Sequence, residues 1–78
     1  MEYEIDIKAI KEIMGGKDMS NIALANKIGV NRNTLRTYFK NPEKMPYEII
    51  LKIALVLDIP DNRIRGIFFK QKLTKNAS

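Results

Sequence analysis

The chain has 78 residues, with 14 Lys or Arg against 9 Asp or Glu, a net charge of +5, and neither Cys nor His. That length makes one small domain, which needs efficient helix packing or a partner to be stable. The missing Cys and His exclude disulfides, thiolate or imidazole metal sites, and the commonest catalytic bases and nucleophiles. No apolar run approaches the roughly 18 residues of a membrane span, and the acidic opening MEYEID is unlike a secretory signal. A cytoplasmic location is expected. The expected organisation is a single domain over 1–78, with a core from about 6 to 69 and a basic, partly disordered tail over 70–78.

Met1 to Ile5 alternates acidic and apolar residues and reads as a frayed start or a short extension. Asp6 is placed to cap a first helix, its carboxylate favourable at the positive end of the dipole. Ile7, Ile10, Ile13 and Met14 recur at helical spacing, with Lys8, Lys11 and Glu12 outside and Gly15-Gly16 as the expected stop. Lys17 and Asp18 are loop, Met19 is expected to be buried, and Ser20 is the N-cap of a second helix.

The stretch NIALANKIGVNRNTLRTYFK, Asn21 to Lys40, reads as helix, tight turn, helix. Leu24, Ala25 and Ile28 face inward on the first of these helices. Gly29 makes the break, since glycine enters the left-handed region without a Cβ clash. Val30 packs inward, Asn31 caps the following helix, and Leu35 and Tyr38 are its expected buried side. Ala25 is small where two helices cross closely. This pattern implies a DNA-binding helix-turn-helix, whose second helix enters the major groove.

With Leu35 and Tyr38 inward, Arg32, Asn33, Thr34, Arg36 and Thr37 point out. Arginine can bridge guanine O6 and N7, asparagine can do the same for adenine N6 and N7, and threonine can touch a thymine methyl or a phosphate. Arg32 and Asn33, in the half that enters deepest, are the leading candidate base readers, followed by Arg36. The competing reading is a solvated polar helix face, which fits an arbitrary helix better than one in this context. The charge distribution agrees with a nucleic-acid partner: residues 1–20 sum to −2 and residues 21–78 to +7.

Lys40, Asn41 and Lys44 follow in a loop around Pro42. Pro46 suits the first turn of a fourth helix. Ile50, Ile53, Ala54 and Leu57 form its core stripe, with Leu51 and Val56 widening it. Asp58-Ile59-Pro60 ends this helix, and the last one starts at Pro60 or Asp61 with Ile64, Ile67 and Phe68 toward the core. If that helix continues through Gln71, Phe69 and Leu73 fall four apart on a different face, which suggests a subunit contact. The tail KQKLTKNAS is basic and polar, compatible with an arm touching phosphate.

The spacing of Leu24, Ala25, Ile28, Gly29, Val30, Leu35 and Tyr38 resembles the helix-turn-helix of the Cro and lambda-repressor-like family of small bacterial and phage regulators. KMPYEIILKIALVLDIPDNRIRGIFF resembles the family's fourth and fifth helices, so the likeness spans roughly residues 7 to 69. It implies an all-α, compact five-helix domain with the helix-turn-helix at helices 2 and 3. In the family, the residue after the helix-2 cap is usually a glutamine that holds a phosphate and braces the recognition helix; Asn21, one methylene shorter, stands there. The family's loop after the recognition helix touches the backbone, which implies that role for Lys40, Asn41 and Lys44, with Asn31, Thr34 and Thr37 supporting. Ile22 falls where a polar residue beside the DNA backbone is usual.

The resemblance implies a double-stranded-DNA partner and a Cro-like repressor binding a palindromic operator as a homodimer, with no cofactor. Because the chain ends at residue 78, no second domain for a ligand, a protease or multimer assembly is expected, as in a small phage or mobile-element regulator. A second reading is a helix-turn-helix scaffold that acts through another protein, as an antitoxin or anti-repressor does; outward Ile22 and Phe69 favour it. Catalysis is not expected, since no carboxylate pair shares a face. General RNA binding lacks the aromatic stacking platforms that single strands need.

Overall fold

The computed structural model describes residues 3–71. Five helices follow one another: α1 (Ile7–Gly16), α2 (Asn21–Ile28), α3 (Arg32–Lys40), α4 (Tyr47–Val56) and α5 (Asp61–Phe68), with a 3₁₀ turn at Pro42–Lys44. Two short strands join the chain's described ends: β1 (Tyr3–Glu4) pairs antiparallel with β2 (Lys70–Gln71), Tyr3 opposite Gln71 and Glu4 opposite Lys70. The all-α five-helix architecture expected from the sequence is therefore present, with a small ladder added. Among the described residues no helix is long and apolar enough to cross a membrane.

The N-termini of the first three helices are closed by the side chains that the sequence suggests. Asp6 Oδ1 accepts from the Ala9 N–H at 3.1 Å, Ser20 Oγ from Ala23 at 3.1 Å, and Asn31 Oδ1 from Asn33 at 2.7 Å. Each satisfies one of the donors that a helix start leaves unpaired. Pro46 and Pro60 stand one position outside α4 and α5, as caps rather than first-turn residues.

The C-terminus of α1 departs from expectation, while α2 and α4 end where the sequence suggests. Gly15 and Gly16 lie inside α1, and the left-handed residue that closes it is Asp18, with φ 52°. Asp18 N–H donates to Gly15 O and Met19 N–H to Met14 O, the paired bonds of a Schellman motif. Asp58, also at φ 52°, repeats the motif after α4, with Asp58 N–H to Leu55 O and Ile59 N–H to Ala54 O. Aspartate does this work because a short polar side chain tolerates the left-handed region better than a branched or bulky one. Only Gly29, at φ 80°, uses glycine for it.

The core centres on Ile10, Leu24, Leu35 and Ile53, one from each of the first four helices, with Leu57 just past α4, and is completed by Ile67 and Phe68 of α5. α2 packs against both α3 and α4. Three expectations about which residues face inward are corrected. On α3 the partner of Leu35 is Phe39, four residues on, while Tyr38 is only half-buried at the edge. On α4 the buried set is Ile49, Ile53, Ala54 and, just past its end, Leu57; Ile50 and Val56 are half-buried and Leu51 is exposed. Met19 is half-buried rather than buried. On α3 and α4 helical spacing left two neighbouring phases open, and packing against the other helices selected one; Met19 lies in the loop between α1 and α2.

Asp6 also fastens the two described ends together. Its N–H donates to Ile67 O at 2.6 Å, and its Oδ2 lies 3.5 Å from Lys70 Nζ. The chain turns into β2 at this point, so α5 stops at Phe68 and does not run through Gln71. The four-residue pairing of Phe69 with Leu73 therefore has no helical basis within the described residues, and Leu73 itself lies outside them.

Candidate nucleic-acid interface

The site is built on a three-residue connection. α2 ends when the Gly29 and Val30 N–H groups both donate to Ala25 O, at 2.9 and 3.0 Å. Asn31 then starts α3 in an extended conformation, with its side chain on the Asn33 N–H. Ala25 is 1% exposed, and its single methyl lets α3 pass close to α2. Leu35 and Phe39 anchor α3 from below, and the opposite side of the helix is left in solvent.

That outer side carries Arg32, Asn33, Arg36, Thr37 and Lys40, all exposed; Thr34 is half-buried. Arg32 and Arg36 are one turn apart and so share a face. Thr37 Oγ1 is turned back onto its own helix, donating to Asn33 O at 3.0 Å, which leaves its lone pairs and methyl outward. Asn31 is exposed, but its carbonyl oxygen is taken by the cap, leaving the amide N–H₂ for any external acceptor. Asn41, half-buried, donates its backbone N–H to Thr37 O at 2.8 Å, and its side-chain amide reaches the same oxygen only at 3.5 Å. Lys40 is the last residue of α3 rather than loop, and Lys44 is exposed at the end of the 3₁₀ turn.

Two adjoining surface hollows organise these side chains. Asn33, Arg36, Thr37 and Lys40 line one. Asn21, Arg36, Phe39, Lys40 and Lys11 line the other. Arg36 and Lys40 form the ridge between them, and Asn21, the first residue of α2, closes the second from the far side. Arg32, Thr34 and Lys44 line neither hollow.

Lys11, which helical spacing places on the outer side of α1, also belongs to this surface. Its ammonium lies 5.8 Å from the centre of the Phe39 ring, within reach of a cation–π attraction. That contact carries α1 onto α3 and places a further cation beside Asn21 and Arg36. Helical spacing within α1 says only that Lys11 points outward. No sequence signal indicates which neighbour it would meet.

Among the described residues, ion pairs join Glu48 to Lys52 and Asp6 to Lys70. None involves Lys11, Arg32, Arg36 or Lys40. Four side-chain cations on and beside α3 are thus left for an external anion, with amide and hydroxyl groups between them. No group of His, Cys, Asp or Glu among the described residues could hold a metal ion.

Elsewhere on the surface, Phe69 is 45% exposed and shares a hollow with Asp61, Ile64 and Arg65 of α5. Ile22 is 49% exposed on the outer face of α2, as its helical phase suggests.

The model of the Cro/C1-type helix-turn-helix DNA-binding domain matches residues 9–60, which run from α1 to the end of the α4 closing turn. No curated protein and no solved structure matches the chain significantly. The matched span contains the Gly29 turn, the Asn31 cap, the exposed polar side of α3 and the helix that buries its other side. The chain belongs to the Cro/C1-type helix-turn-helix family of DNA-binding domains.

Proposed function

We propose that this DNA-binding domain is a sequence-specific transcriptional regulator, a Cro-like repressor that acts in the cytoplasm by occupying a promoter. The observation that carries this reading is the outer side of α3, where Arg32, Asn33 and Arg36 stand exposed with no ion-pair partner among the described residues. Arg32 and Asn33, at the start of the helix, read base edges, and Arg36 reads the next step. Asn21, Asn31, Thr34, Thr37, Lys40, Asn41 and Lys44 hold the phosphate backbone or support the helix that does. Phosphate contacts supply most of the affinity and make it fall with salt; base contacts supply the choice of sequence.

The operator is a palindrome read by a homodimer, with half-sites about one helical turn, roughly 34 Å, apart. The dimer forms around Phe69, whose exposed ring adjoins Ile64, and Leu73 contributes from the segment outside the described residues. Phe69→Ala is expected to shift the protein toward monomer; an unchanged sedimentation coefficient at micromolar concentration would remove this interface.

Selection of bound duplexes from a random pool at physiological salt tests the whole reading. An enriched inverted repeat is expected. A soluble, folded protein that enriches nothing would overturn it and favour the second reading, a scaffold of antitoxin or anti-repressor type acting on another protein. Exposed Ile22 on α2 is the observation that speaks for that alternative, and DNA-independent co-purification of a partner would support it.

A further inference from the structure

α4 has two apolar sides. One is the core side; the other is a stripe of Tyr47, Leu51 and Leu55, which are 65%, 45% and 80% exposed. These residues are spaced i, i+4, i+8, so they lie along one line about 12 Å long on the helix surface. Beside them on one flank runs a pair of opposite charges, Glu48 and Lys52, joined at 3.2 Å and both open to solvent. Nothing in the core requires this stripe: Ile49, Ile53 and Ala54 already serve the buried side.

We propose that the outer face of α4 is an isologous contact that takes a second copy of this chain, with the two α4 helices antiparallel and a dyad at Leu51. The charges choose the occupant. A uniformly acidic or basic partner would gain from one of Glu48 and Lys52 and lose from the other. A two-fold axis perpendicular to two antiparallel helices sets the same flank of each against the other. Centred on Leu51, it stacks Tyr47 on Leu55 of the second copy. It also brings Glu48 within one helical turn of Lys52 of that copy, and Lys52 within one turn of its Glu48. The intramolecular pair of each copy, two in all, is thereby exchanged for two intermolecular ones, and each Glu48 keeps a Lys52 within reach.

Three side chains cover much less than the roughly 800 Å² per partner of a stable protein interface. The face alone gives a weak pair, effective where copies are already close together. It is distinct from the contact around Phe69 and requires no DNA, so its failure would leave the DNA-reading assignment untouched.

The test is sedimentation at low salt from about 10 µM to about 500 µM, the range that reports weak affinities, in a Phe69→Ala background that removes the other contact. The parent is expected to move toward dimer as concentration rises. Leu55→Asp, at a position with no role in the core, is expected to abolish that shift. Glu48→Lys and Lys52→Glu each make the flank uniformly charged and are each expected to weaken self-association about fivefold, through repulsion between like charges brought together at two exposed positions. Mixed in equal amounts, they are expected to associate more tightly than either alone, because an all-basic flank then meets an all-acidic one. A parent that stays monomeric, Leu55→Asp with an unchanged shift, or a mixture no tighter than its components would each overturn the proposal.

Discussion

α3 and α4 are two helices of similar length, each with one side in the same core, yet their outer sides have opposite chemistry. α3 sets Arg32, Asn33, Arg36 and Lys40 in solvent above Leu35 and Phe39. α4 sets Tyr47, Leu51 and Leu55 in solvent above Ile49 and Ile53. A polyanion is suited to the first surface and a protein to the second. The difference shows that apolar content alone does not say which side of a helix is the core. α4 is the more apolar helix, and much of its apolar area is outside.

Two leucines break or confirm that comparison most sharply. Leu35→Ala removes a fully buried side chain and is expected to cost about 2–5 kcal/mol, enough to unfold much of a domain this small. Leu55→Ala, on the other side of the line, is expected to stay within about 0.5 kcal/mol of wild type. Chemical denaturation of both variants checks this; similar losses would place Leu55 in the core and dissolve the distinction.

The next largest effect concerns specificity. Arg32→Ala is expected to weaken operator binding by about 1–3 kcal/mol while nonspecific DNA is less affected. Equal losses on both DNAs, measured at one salt concentration, would make Arg32 a phosphate contact.

Lys11→Gln sharpens the boundary of the α3 surface. It should weaken binding to any duplex evenly and lower the slope of log affinity against log salt by about 0.9, the loss of one phosphate contact. An unchanged slope would confine the interface to α3 and its immediate flanks.

A further small effect is expected at the end of α4. Asp58→Gly relieves a left-handed non-glycine residue but adds freedom to the unfolded chain, so a net gain of at most about 1 kcal/mol is expected. A loss of stability on thermal melting would show that the Asp58 side chain contributes to the motif beyond its backbone geometry.

Much of the site was legible before the fold was known, because its signals are local. The caps Asp6, Ser20 and Asn31 act within three residues of themselves, and Gly29 meets a local need for positive φ. The outward phase of Arg32 and Arg36 follows from helix geometry once Leu35 is inside. Legibility failed where two solutions were locally equal. Tyr38 and Phe39 are adjacent aromatic residues on either side of the inward direction, and only the packing of α3 in the common core made Phe39 the buried one. Leu51 and Ile49 pose the same choice on α4. Asp18 was missed as the terminator of α1 because aspartate enters the left-handed region only when the surrounding bonds compensate, whereas Asp58 falls in the Asp58-Ile59-Pro60 stretch that the sequence marks as the end of α4.

The sequence by itself determined the five helices, three of their caps, the turn at Gly29 and the polar character of the α3 outer side, since each depends on residues within about one or two helical turns. Tertiary structure alone decided three things. It brought Lys11 over Phe39 beside Asn21 and Arg36. It closed the described ends through Asp6, Ile67 and Lys70, stopping α5 at Phe68. It also turned Tyr47, Leu51 and Leu55 away from the core. All three join or separate residues far apart in the chain, and a hydrophobic pattern carries no information about which of two apolar sides a neighbouring helix will cover.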